Sequence, residues 1–132
     1  MPTSNTGGVF FDANVVLEIV GQRRYAKEAQ QVMRENPGLL SVSALTVHLV
    51  VYFGTKSHSV QSLKDLLSDF EVVGLEPSDV AWAFDHMVKN DFEDALQVSV
   101  ALRAGCEVFY TFDRNLYAAY KHLPNLKIKL LV

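Results

Sequence analysis

The chain has one cysteine, Cys106, so no internal disulfide is open to it. That cysteine falls in the apolar run CEVFYTF, where it reads as a small buried hydrophobe. Histidine is also sparse. His48, His58, His86 and His122 are scattered without the close pair spacing of a zinc site, which argues against a histidine-based metal cage. Positive charge is in deficit: 12 Lys and Arg against 15 Asp and Glu leave a net −3, without the global attraction of a basic DNA-binding domain. No apolar run approaches the roughly 20 residues of a membrane span. The polar opening MPTSNTGG lacks the basic and apolar regions of an export signal, so a cytoplasmic protein with no membrane attachment is expected.

What is present describes an ordinary globular chain. Apolar residues make up 49% and charged residues 20% of 132, which suits one domain over residues 1 to 132 and excludes disordered or fibrous classes. The hydrophobic period alternates strand and helix. Strands are predicted at 8 to 12, 39 to 43, 70 to 74, 107 to 111 and 126 to 131. Amphipathic helices are predicted at 14 to 35, 44 to 54, 58 to 69, 78 to 88 and 92 to 104, with a short one at 114 to 121. Asn36-Pro37-Gly38, Gly54, Gly74, Pro77 and Gly105 punctuate the boundaries. This order predicts an α/β fold with a mostly parallel central sheet flanked by helices on both faces. The segment ALTVHLVVYF is apolar almost all round, so a second buried side, supplied by another subunit in a homodimer, is expected. Arg23, Arg24, Lys27 and Arg34 gather on the first long helix, where a solvated face is the simpler reading.

The acidic residues carry the chemistry. In an open parallel sheet, ligands bind beyond the carboxyl ends of the strands. Asp12 ends the first strand in VFFDANVVLEI, Asp113 follows EVFYT by two residues, and Asp91 and Asp94 open the helix of DFEDALQVSVALRAG, three residues apart on one face. Each has a simple role as a helix cap, worth about 1 kcal/mol. Together they oppose folding, because two unit charges about 4 Å apart repel by about 4 kcal/mol at an effective dielectric near 20. Clustered aspartates therefore need protons or a cation. An all-oxygen donor set suits Mg²⁺ or Mn²⁺, which bridge to phosphate and acidify bound water. A metal would also let an acidic protein hold a polyanion locally.

At this point the sequence resembles the PIN-domain nucleases, in particular the VapC-type toxins of bacterial toxin–antitoxin pairs. The matching stretches are FFDANVVLEI, SVSALTVHL, DFEDALQVSVALRAGCEVFYTFDRNL and KIKLLV, which span nearly the whole chain in the family's order. The resemblance implies a Mg²⁺- or Mn²⁺-dependent ribonuclease, restrained by a small antitoxin protein. It implies that Asp12, Asp94 and Asp113 bind the metal and carry catalysis. It makes Asn14 a support for Asp12, and Ser43 and Thr111 the hydroxyls that orient the carboxylates. Where the family carries a second core glutamate, in the helix after SVSALT, this chain has His48. Neutral imidazole can ligate Mn²⁺ or hold a bound water but brings no charge, so weaker magnesium binding or a PIN scaffold with reduced catalysis is the alternative. Asp91 and Glu93, beside Asp94, are candidates to compensate. Arg114, next to Asp113, is a candidate for a substrate phosphate, since its planar fork matches phosphate oxygens. Dehalogenase-like phosphatases and receiver domains also place an aspartate after an early strand, but they fit worse. The first usually wants a second aspartate where Asn14 stands, and the second a lysine where the chain supplies Asp113.

Overall fold

The computed structural model describes residues 7 to 132; the opening MPTSNT, on which part of the expectation about export rests, lies outside the described residues. The elements run β1 (Val9–Phe11), α1 (Ala13–Val20), α2 (Ala26–Glu35), β2 (Leu40–Ser43), α3 (Ala44–Gly54), α4 (Val60–Leu67), β3 (Glu71–Val73), α5 (Pro77–His86), α6 (Phe92–Arg103), β4 (Val108–Thr111), α7 (Arg114–Tyr120) and β5 (Lys127–Leu130). The strands form one five-stranded sheet in the order β3-β2-β1-β4-β5, and every recorded pairing is parallel. Among the described residues no helix is long and apolar enough to cross a membrane.

Alternation along β1 distributes two cores. Phe11 turns to the side packed by Val15, Val16 and Ile19 of α1, Val32 of α2, Val50 of α3 and Leu63 of α4. Phe10 turns to the other side, where Val98 and Ala101 of α6, Phe109 of β4 and Leu116 of α7 pack. Its ring lies 5.2 Å from that of Phe109 in a stacked arrangement, across the register Phe10↔Phe109. Cys106 is buried on this side, and burial pushes its thiol up to about 11. At Gly54 the helices α3 and α4 close tightly, since a Cβ there would sit 2.8 Å from a Leu63 methyl.

All five expected strands form, and one helix departs from expectation. The amphipathic stretch 14 to 35 is two helices, α1 and α2, not one. Gly21 caps α1, and its N–H donates to the carbonyls of Ile19 and Leu17. Gln22 follows at φ 49°, in left-handed space, and Arg23 N–H returns to the Glu18 carbonyl at 3.0 Å. The break costs little, because α1 and α2 still bury Val16, Ile19, Ala29 and Val32 on the same side of the sheet. The expectation for α3 also needs refinement. Thr46, Val50 and Gly54 are buried, whereas Val51, Tyr52 and Phe53 at its end are exposed.

Candidate metal centre

Parallel pairing of β1 with β4 sets the site. Their register runs Val9↔Val108 to Phe11↔Tyr110, and the Asp12 N–H donates to the Tyr110 carbonyl at 3.0 Å, so Asp12 and Thr111 end neighbouring strands at one edge. This is also where the connections leave the sheet in opposite directions, β1 towards β2 and β4 towards β5. Such a switch point opens a crevice outside the strand ends.

Asp12 is the N-cap of α1 and is 3% exposed. Its Oδ1 accepts from Ala13 N–H at 2.8 Å, and its Oδ2 accepts from the Thr111 hydroxyl at 2.8 Å. Burial nevertheless pushes the Asp12 carboxyl up to about 7; those two hydrogen bonds oppose the rise, and the charges of Glu93 and Asp113 add to it. Thr111 Oγ1 also accepts from Asp113 N–H at 3.0 Å, so one buried hydroxyl ties the first carboxylate to the backbone of the last. Asn14 reaches the same corner from α1: its Nδ2 donates to Thr111 Oγ1 at 3.4 Å, and its Oδ1 accepts from Phe112 N–H at 3.3 Å.

The other carboxylates come from helix starts. Asp113 caps α7, accepting from the N–H groups of Asn115 and Leu116. Asp91 caps α6 and accepts from Asp94 N–H at 3.0 Å. Asp91, Asp94 and Asp113 each offer a carboxylate oxygen, and these lie within 4.8 Å of one another. Of the three aspartates expected as ligands, two fall in this tight group and Asp91 completes it. Asp12 lies deeper, close enough for its charge to matter to Asp94. Asp94 is pushed up to about 8, first by burial, then by the charge of Asp12, and further by a hydrogen bond and charge from Asp91 and the charge of Asp113. Glu93, one position earlier, is raised by partial burial and by Asp91. The donor set is wholly oxygen, crowded and short of counter-charge, which fits a hard divalent cation.

The remaining expected residues lie outside this tight group. His48 is on the exposed face of α3, its ring stacked 6.2 Å from that of Tyr52, and it offers no atom to the tight group. The sequence ALTVHLVVYFG of α3 holds no acidic residue at all. Ser43 touches no aspartate. It caps α3 through Thr46 N–H and donates to Gln97 Oε1 at 2.7 Å, while Gln97 Nε2 donates to Thr46 Oγ1 at 2.9 Å. This buried triad pins α6 to the start of α3 three residues beyond Asp94. Gln97, 1% exposed, was missed in the sequence; its polar side chain on the apolar stripe between Ala95 and Val98 was the available signal. Arg114 opens α7 in the open, turned to a separate cleft with Arg23 and Arg24.

A model of the PIN domain matches residues 9 to 122. The chain belongs to the PIN-domain family. Among characterised relatives it is 30% identical over 125 residues to Ribonuclease VapC1 of Aquifex aeolicus, a match covering 86% of this chain and 87% of that one. The PIN fold of this chain is also that of a toxin-antitoxin complex from Klebsiella pneumoniae, at TM-score 0.71 and 21% identity over 90% of this chain and 95% of that one. VapC20 of Mycobacterium tuberculosis, a Sarcin-Ricin loop cleaving toxin, matches at TM-score 0.69 and 16% identity, over 86% of this chain and 95% of that one.

Proposed function

We propose that this PIN-domain protein is a metal-dependent endoribonuclease that hydrolyses RNA phosphodiester bonds in the cytoplasm, as the toxin of a toxin–antitoxin pair. The observation that carries this reading is the convergence of Asp91, Asp94 and Asp113 on one point beside buried Asp12 at the switch in strand order. The names of the relatives, a ribonuclease and toxins, support it. Asp94 and Asp113, with Asp12 beneath them and Asp91 alongside, are the residues that would hold Mg²⁺ or Mn²⁺. Such an ion supplies Lewis-acid polarisation of the phosphate and a more acidic water.

The protein's own contribution is positional. Thr111 and the Ala13 N–H each hold one oxygen of Asp12, which fixes the orientation of that carboxylate at the base of the crevice. Asp91 and Asp113 are held by the helix starts they cap, and Asp94 by a helix locked at Gln97. The Asp12 and Asp94 carboxyls, raised to about 7 and about 8, would release protons on binding a cation, which would couple occupancy of the site to pH.

A second reading is a PIN scaffold with weakened catalysis, serving as a binding or regulatory module. The absence of any carboxylate on α3 favours it. Cleavage of a mixed RNA in Mg²⁺ and in Mn²⁺ separates the two, with metal affinity measured in parallel for wild type, Asp94→Asn and His48→Glu. The nuclease reading expects cleavage that Asp94→Asn lowers by about a hundredfold or more. No metal uptake at millimolar concentration, and no cleavage sensitive to Asp94→Asn, would sink it. A small antitoxin protein and a homodimer complete the proposed partners; the exposed end of α3 is the surface offered to the second copy.

A further inference from the structure

Next to the carboxylate centre lies a cleft of opposite character. Its cavity, about 380 Å³, is lined by Arg23, Arg24 and Arg114, with Glu18, Tyr25 and Phe112. The three arginines are exposed, and among the described residues the recorded ion pairs all run from Arg103, leaving these guanidinium groups without a carboxylate partner. The carboxylate of Glu18 accepts instead from Tyr25 N–H at 2.9 Å. In a chain of net charge −3, three unpaired arginines converging on one concavity are a local reversal of the overall field.

The walls add a second kind of chemistry. Tyr25 and Phe112 stack with ring centroids 5.8 Å apart, and the Arg24 guanidinium lies 5.2 Å from the centre of the Tyr25 ring. A positive groove interleaved with aromatic faces is the arrangement that tracks a single-stranded nucleic acid backbone. The cleft is also rigidly tied to the metal centre. Phe112 sits between Thr111 and Asp113, its N–H is held by Asn14 Oδ1 at 3.3 Å, and Arg114 follows Asp113 directly. The turn at Gly21 and Gln22 that separates α1 from α2 is what delivers Arg23, Arg24 and Tyr25 to this place.

We propose that this arginine cleft is the subsite that grips the backbone of single-stranded RNA beside the reacting bond, Arg23, Arg24 and Arg114 each pairing with a phosphate. The inference rests on the ribonuclease reading for its choice of ligand and goes beyond it in naming the surface. Guanidinium pairs bidentately with phosphate, so three such contacts anchor the strand while the acidic centre repels it. Binding then depends on salt: each phosphate neutralised adds about 0.7 to the slope of log affinity against log salt, hence about 2 for three.

The test separates gripping from cutting. A fluorescein-labelled single-stranded RNA of about a dozen nucleotides is titrated in EDTA, where no cleavage intervenes, at several salt concentrations. Arg23→Ala/Arg24→Ala/Arg114→Ala should weaken binding by about tenfold or more and flatten the salt slope by about 2, with thermal melting unchanged because all three side chains are exposed. The corresponding triple Lys variant should keep the slope but bind less tightly, and Lys64→Ala/Lys127→Ala, on surfaces elsewhere, should change neither. Equal losses in the Lys64/Lys127 control, or an unaltered triple Ala variant, overturn the proposal. So does tighter binding of a decaglutamate peptide than of the RNA, which would assign the cleft to an acidic protein segment. Failure of wild type to cleave RNA in metal speaks against the nuclease reading alone, since the EDTA titration does not depend on it.

Discussion

Asp12 accepts two hydrogen bonds and is still held near neutral pH by burial. The sign of the consequence follows from linkage. A carboxyl whose folded value, about 7, lies above its unfolded value near 3.8 favours folding below the lower value, and that contribution is lost as pH rises through the upper one. Asp94, raised to about 8, acts in the same sense. The metal-free protein is therefore expected to melt at a falling temperature as pH rises from about 5 to about 8, and saturating Mn²⁺ should restore most of the loss. Calorimetric melts at fixed ionic strength with and without Mn²⁺ check this; a metal-free curve that rises with pH would be wrong for a site built this way. At this scale the sequence was informative about identity and poor about partnership. Asp94 and Asp113 stood out by position, and the three-residue spacing already put Asp91 on the face of Asp94, but that both meet Asp113 of a different helix depends on the sheet topology, which no local spacing encodes. Ser43 likewise binds Gln97, which lies 54 residues away and was invisible to local pattern.

Elements were easier to read. Strand positions followed from short apolar runs between Gly and Pro signals, and every expected strand is present in the sheet. The missed boundary lies at Gly21. A glycine inside a helical period is tolerated, and the charged run that follows keeps an amphipathic pattern, so nothing local separated one long helix from two. The left-handed Gln22 and the return of Arg23 N–H to Glu18 belong to a turn that tertiary packing selects. The join between α6 and α3 makes a sharper prediction. Gln97→Leu keeps volume but removes the buried amide to which the Ser43 and Thr46 hydroxyls bond, leaving them only each other, at a cost of about 2 kcal/mol. Urea unfolding should record that loss with an unchanged m-value. Because the same helix carries Asp91 and Asp94, Mn²⁺ affinity in isothermal titration should fall as well; unchanged affinity would detach the triad from the site.

At the scale of the whole molecule, the sheet order assigns residues 9 to 73 to one wing and residues 77 to 130 to the other, meeting at β1 and β4. The outer edge of the first wing is open: Glu71 and Val72 of β3 are exposed, as are Tyr52 at 58% and Phe53 at 47% on α3. Apolar rings at such exposure suit a second copy, and sedimentation equilibrium should give a dimer for wild type and a monomer for Tyr52→Lys/Phe53→Lys. A wild-type monomer at tens of micromolar would return that surface to solvent or to another protein. The parallel β1–β4 pairing has one more effect, on timing. Thr111 meets Asp12 across 99 residues of chain, so β1 is made long before the hydroxyl that binds the second oxygen of its carboxylate. A nascent chain that has not yet extended through β4 lacks Thr111 and Asp113 altogether and so lacks the carboxylate cluster. The acidic cluster therefore closes only once β4 and the start of α7 have been made, so no shorter nascent segment holds it.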